Sequence, residues 1–299
     1  MNTMQNGLKE MFKRGSMLTK LLFINIGVFV VFYIVAVFFP VITDYLSVPA
    51  NFHTLIYRPW TLVTYMFIHE GFMHLLMNML WLWWFGKMFL SYFNDKQLAA
   101  VYLLGGFTGA FFHLGINYLL PVGQQAMILG ASAAVMSVVF AVVAFKPNYV
   151  INLIFIGPVK IKYVGLFALL LDLMGLLGNL KGGVIASDGI AHIAHIGGSL
   201  YGLWFGYSIK KGKDITRSFN NFLNNVVSFF TSDNKNRNKM KISRNEKFSK
   251  PKPKSDWDYN TDKNSTQKET DRILDKISKN GYDSLSKKEK DFLFKQKKN

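Results

Sequence analysis

Residues 191–206 read AHIAHIGGSLYGLWFG, with two histidines followed by glycines at 198, 202 and 206 and no formal charge. A spacing of four puts the three glycines on one face of a helix, and small residues so spaced let membrane helices touch backbone to backbone. His195 lies one turn from Gly198 on that face. The stretch therefore predicts a membrane helix that presses an imidazole against a neighbouring helix.

The rest of the chain agrees with that setting. Half of its 299 residues are hydrophobic and the mean hydropathy is +0.17, rare for a soluble globule. Apolar stretches near the ~20 residues needed to cross a bilayer fall at Leu18–Phe39, Phe67–Phe85, Gln97–Leu119, Ala126–Phe145, Tyr163–Leu180 and Gly189–Ile209. They predict an all-α membrane protein of six transmembrane helices. The first run is too long for a signal peptide, and no small-residue cleavage site follows it. Lys9, Lys13, Arg14, Lys20, Lys87, Lys96, Lys146, Lys160 and Lys162 fall on one side of these spans, against Arg58 and Lys181 on the other, which places both termini in the cytoplasm. Residues Asn148–Tyr163, interrupted by Gly157-Pro158 and flanked by lysines, read as an interfacial hairpin rather than a seventh span.

Charge divides unevenly. Residues 1–209 hold 11 Lys/Arg and 6 Asp/Glu, whereas residues 210–299 hold 24 and 12, so the formal +17 belongs mainly to a tail. Nothing in the apolar part resembles a nucleic-acid footprint, and no nucleic-acid partner is expected. Cysteine is absent, which excludes disulfides, a thiolate nucleophile and Cys-ligated zinc. The expected organisation is a cytoplasmic N-terminus (1–17), a six-helix domain (18–210), a basic flexible linker (211–268) and a small cytoplasmic helical hairpin (269–299), whose partner the sequence does not name. In the last, Ile273, Leu274 and Ile277 fall at helical spacing before Gly281, and Ser286-x-x-Glu289 has the form of a capping box.

Ionisable groups inside spans are expensive and mark function by default. Span two carries His69, Glu70, His74 and Asn78; span three His113; span four Ser132 and Ser137; span five Asp172; span six His192 and His195. His69-Glu70 with His74 falls short of the zinc-protease pattern, because a spacing of five puts the imidazoles about 140° apart around a helix. No metal or cofactor is expected. His74 and Asn78, four apart, share a face, and two neutral donors suit an oxyanion better than an ion. Ser132 follows Gly130, which leaves the backbone approachable. Counted at 1.5 Å per residue from Ala126 and Gly189, Ser132 and His195 each lie about 9 Å below the outer boundary. For Asp172 the preferred reading is a structural hydrogen bond, with no basic partner evident. Gly105, Gly106 and Gly109 read as helix packing, His192 as a packed or hydrogen-bonding neighbour.

The ordered set His69-x4-His74-x3-Asn78, Gly130-Ala-Ser132 and Ala194-His195-x-Gly-Gly with Gly202 resembles the rhomboid intramembrane serine proteases over roughly residues 18–210. Arg58 and Trp60 are similar to the family's first outer loop, and the terminal hairpin to a tail module of some bacterial members. The resemblance implies a serine endopeptidase acting in or beside a substrate's transmembrane segment. Ser132 would be its nucleophile, His195 its base and then acid, and His74, Asn78 and the Ser132 amide its oxyanion donors. The family needs no third carboxylate. Two positions depart from its pattern. Ala133 stands where glycine is usual, adding a methyl near the substrate-accepting backbone. Met136 stands where an aromatic usually packs on the imidazole, so the hold on His195 is expected to loosen and activity to fall. The other readings are a rhomboid-like client-binding pseudoenzyme and a transporter using the histidines and Asp172. A Lys-, Asn- and Ile-heavy chain points to a bacterial inner membrane with the site facing outward, and span five with loop 181–188 to a lateral gate.

Overall fold

The computed structural model describes residues 9–119, 127–153, 156–180, 190–230, 269–279, 281 and 284–296. Six long helices carry the main body: α1 (Met17–Phe38), α2 (Phe72–Leu90), α3 (Asp95–Leu119), α4 (Ser132–Phe145), α5 (Ile161–Leu180) and α6 (Ile190–Lys210). Their ends follow local chemistry. The Ser16 hydroxyl accepts from the Thr19 amide at the start of α1. Asn94 and Gln97 cap α3 reciprocally at 3.0 and 3.1 Å. Among the described residues, α1 and α3 meet the length and apolarity needed to cross a membrane. The outer face of α1 leaves Val31, Ile34 and Val37 exposed, as suits a lipid-facing helix.

Helix α4 is the exception in length and the centre in position. Ten of its 14 residues are buried, and 14 residues rise only about 21 Å, less than a hydrocarbon core of about 30 Å. The expected start at Ala126 is corrected: residues 127–131 are not helical, because Gly130 sits at φ +118°, outside the helical region. The second span is corrected likewise. A 3₁₀ turn (Tyr65–Phe67) is followed by irregular chain through Gly71, so His69 and Glu70 precede α2 and the 140° estimate does not apply to them.

Helix α6 packs on α4 through the predicted face. A Cβ on Gly198 would collide with the Ala133 carbonyl, one on Gly202 with the Ser137 carbonyl, and one on Gly206 with the Ala141 carbonyl. Helix α3 closes the trio. A Cβ on Gly105 would strike Ser137, one on Gly106 Met66, and one on Gly109 would lie 2.6 Å from the Ala133 methyl and 2.8 Å from the Ala194 carbonyl. That methyl fills the space Gly109 leaves, so Ala133 points away from the expected substrate side. Buried polar groups tie the remaining elements. The Tyr65 hydroxyl donates to the Gly106 carbonyl at 2.6 Å, the Tyr102 hydroxyl to the Met66 carbonyl at 3.1 Å, and the Asn25 amide to the Tyr102 hydroxyl at 3.2 Å.

Val150–Leu153 and Gly157–Lys160 form an antiparallel hairpin with Ile151 opposite Val159, in place of a seventh helix. The expected linker begins with a helix, α7 (Arg217–Phe230), whose Asn and apolar side chains alternate at helical spacing. The rest of that linker call, residues 231–268, and the gating loop 181–188 lie outside the described residues.

The tail is a separate unit. Residues 269–279 are helical, as is α8 (Lys287–Gln296), and Ile273 and Leu285 are buried while Leu274 is exposed. The capping box is present: the Ser286 amide donates to Glu289 Oε2 at 2.8 Å and the Glu289 amide to the Ser286 hydroxyl at 3.4 Å. Lys276 joins the two helices through Glu289 at 3.1 Å.

Two outcomes follow from this packing. Gly202→Val should destabilise the bundle by about 3 kcal/mol, the upper end for overpacking, since backbone rather than flexible side chain must yield. Gly27→Ala, with nothing within 4 Å of the added methyl, should change stability by less than about 1 kcal/mol; thermal unfolding in detergent compares them, and an unchanged Tm for Gly202→Val would contradict the contact. In the tail, the Ser286 amide, its hydroxyl and then Lys276 hold the Glu289 carboxyl down at about 2, against an ordinary 4.5. A depressed folded value stabilises above the unfolded one, so the hairpin should weaken as pH falls from 4.5 toward 2. Backbone amide shifts of residues 284–296 should show this in the wild type and much less in Glu289→Gln.

Candidate active site

The chain entering α4 is strapped on two sides. Val48 and Ile128 exchange backbone hydrogen bonds at 3.0 and 3.1 Å, and the Gly130 amide donates to the Tyr65 carbonyl at 2.8 Å. Gly130 then turns at positive φ, and Ser132 becomes the first residue of α4. Its amide is therefore among the helix's first four N–H groups, which have no intrahelical acceptor, and its side chain stands at the positive end of the helix dipole. The matched-depth estimate for Ser132, which assumed helix from Ala126, gives way to this direct placement.

Ser132 and His195 meet. The Ser132 hydroxyl oxygen and His195 Nε2 stand 2.7 Å apart, at hydrogen-bond distance. Both line a cavity of about 610 Å³ together with Glu70, His74, Asn78 and Asp172. The His74 ring lies against Gly130: an added Cβ there would be 2.8 Å from its Nε2. One N–H of the Asn78 amide donates back to the His74 carbonyl at 2.9 Å, which leaves its second N–H. His74, Asn78 and the Ser132 amide are thus gathered at one mouth of α4. Met136 lines the same cavity, while Ala133 does not. Gly198 and Gly202 lie behind the site, in the α4–α6 contact.

His69 is fully buried beside His74, with ring centroids 5.1 Å apart. Glu70 is exposed at the cavity's edge. Arg58 and Trp60 brace the chain between α1 and α2, donating to the Asp44 and Tyr45 carbonyls at 3.0 and 2.8 Å. Ser137 is spent on packing, donating to carbonyls of Val101 and Ala134.

Asp172 is where sequence reading fell short. Its side chain has two partners: Nδ1 of His195 at 2.7 Å and Nδ1 of His192 at 2.8 Å, both on Oδ1. The absence of a basic partner is thus corrected. Sequence held a usable signal, because a lone carboxylate in an apolar helix needs donors, and two histidines three apart on one helical face were the available ones. Among the described residues these three side chains are the one group able to offer a metal three ligand atoms, all within 4.8 Å of one another. Nitrogen–oxygen separations of 2.7 and 2.8 Å are those of charge-assisted hydrogen bonds. Two ligands of a tetrahedral ion would stand roughly 3.3 Å apart.

Known proteins match the same region. Residues 57–212, just over half of the chain, match the Rhomboid domain, and residues 255–295 match a family of unknown function, DUF6576. Presenilin-associated rhomboid-like protein A, mitochondrial, of Danio rerio is 28% identical over 141 residues, covering 46% of this chain and 34% of its own length. The Mus musculus presenilin-associated rhomboid-like protein, mitochondrial, is 31% identical over 141 residues (46% and 35%). Rhomboid-related protein 1 of Caenorhabditis elegans is 29% identical over 151 residues (50% and 40%). The chain thus spans about a third of the length of the first of these relatives. The mitochondrial names lend no support to a bacterial inner membrane, which rested on a residue bias that carries no compartment signal. The profile that matches its central half, with glycine-packed helices and a serine and histidine in contact behind it, establishes that this membrane protein belongs to the rhomboid family.

Proposed function

We propose that the protein is an intramembrane serine endopeptidase that cleaves a peptide bond in or next to the transmembrane segment of a membrane protein. One observation carries the reading: the 2.7 Å contact of Ser132 Oγ with His195 Nε2 at a cavity wall. In the proposed reaction His195 Nε2 takes the hydroxyl proton as Oγ bonds to the scissile carbonyl carbon. The oxyanion is met by the Ser132 amide, the second N–H of Asn78 and His74, at the positive end of α4. Imidazolium then protonates the leaving amine, and water, deprotonated by the same nitrogen, releases the acyl group. In the bilayer the six helices would form the membrane bundle, with the short α4 enclosed by longer neighbours, both termini would be cytoplasmic, and the cavity would open toward the outer side. The basic side of the loops supports this orientation.

Neither alternative has an observation of its own. A client-binding pseudoenzyme has no need of a serine and histidine in hydrogen-bond contact. A transporter would use Asp172 along a polar path, whereas its partners here belong to the same cavity.

Purified protein in liposomes with a single-span model substrate tests the reading. Wild type should cleave, and should label at Ser132 with a serine-directed phosphonate; Ser132→Ala and His195→Ala should do neither. A wild type that cleaves none of several substrates and takes no label would move client binding to first place. Asn78→Ala should lower kcat by about 10²-fold with KM little changed, as for loss of an oxyanion donor; a rise in KM alone would assign Asn78 to substrate binding instead.

A further inference from the structure

Asp172 projects from α5 into the cavity and is buried, at 4% exposure, and among the described residues its second oxygen Oδ2 has no partner. A buried carboxylate so placed depends on the donors its first oxygen has. Those donors are His192 and His195, and both are bonded through Nδ1. Each Nδ1 must therefore carry its proton. For His195 that leaves Nε2 as an acceptor, facing the Ser132 hydroxyl at 2.7 Å. Met136 of α4, which lines the same cavity, is a thioether and a poor acceptor.

We infer that Asp172 is a positioning residue that clamps the catalytic histidine: it fixes the tautomer and ring plane of His195, and His192 shares and steadies the same carboxylate oxygen. The inference rests on the protease reading for its catalytic consequence. During attack the Ser132 proton moves to His195 Nε2 while Oγ bonds to carbon; Asp172 remains a carboxylate, takes up no proton, and faces the imidazolium at 2.7 Å. A purely structural tie between α5 and α6 would use the same hydrogen bonds but would not require them to select which nitrogen meets the serine.

The test pairs kinetics with a direct view of the protons. In wild-type protein labelled with ¹⁵N-histidine and assigned with His195→Ala, the neutral His195 ring should carry its proton on Nδ1. Asp172→Asn should shift that proton partly or wholly to Nε2 and lower kcat about 10²- to 10⁴-fold, with KM within about twofold. The inference is overturned by a wild-type proton on Nε2, or by an Asp172→Asn variant with wild-type kcat. The wild-type spectrum needs no variant to fold. It also separates the two readings: a proton on Nδ1 in a protein that neither cleaves nor takes the phosphonate sinks the protease and leaves the clamp, whereas cleavage with the proton on Nε2 sinks the clamp and leaves the protease.

Discussion

The structure depends on backbone touching backbone between α4 and α6. Lipid supplies no hydrophobic drive for helices to associate, so close approach and van der Waals contact must do so. Gly198, Gly202 and Gly206 allow it: each faces a carbonyl of α4 with no room for a side chain. Because His195 lies three residues before Gly198, the same contact fixes how far its ring stands from the first turn of α4. Separation of these axes by even one methyl's width would open a 2.7 Å hydrogen bond beyond use.

Such packing places a ring but does not present a serine. That task falls to an irregular strap, residues 127–131, bonded to Val48 and Tyr65 and turned by Gly130. Starting α4 at Ser132 rather than earlier sets the hydroxyl and the free amides of a helix terminus together. The shortness of α4 is thus tied to the chemistry proposed for it, and non-helical backbone inside an apolar body is tolerated because its groups are bonded to neighbouring chain.

The polar groups buried around this centre meet the same constraint in different ways. Asn25 and Tyr102 bond each other and the Leu21 and Met66 carbonyls, and Tyr65 bonds the Gly106 carbonyl, bracing α1 and the chain between α1 and α2 on α3. Asp172 instead spends one oxygen on two imidazoles, and among the described residues the other has no partner. The first arrangement has the completeness of scaffolding, while the second concentrates charge where a developing imidazolium would need it. A looser hold on His195 is expected from Met136; in the role proposed for it, Asp172 would hold that ring from another helix.

Much of this was legible in the sequence because it is periodic or local. Glycines four apart declare a close-packed face, Ser286-x-x-Glu289 declares a cap, Gly157-Pro158 breaks a would-be seventh span into a hairpin, and the scarce polar residues in apolar spans, with the family resemblance, pointed to Ser132, His195, His74 and Asn78. Tertiary structure alone decided the rest. Where α4 begins depends on a strap to Val48 and Tyr65, distant in the chain, and the Ala133 methyl is harmless to the cavity because Gly109 of another helix receives it. The partners of Asp172 lie 20 and 23 residues away on a different helix. Spacing along one helix reports which side chains share a face, but which faces meet is set by packing among helices, and that leaves no period in the sequence.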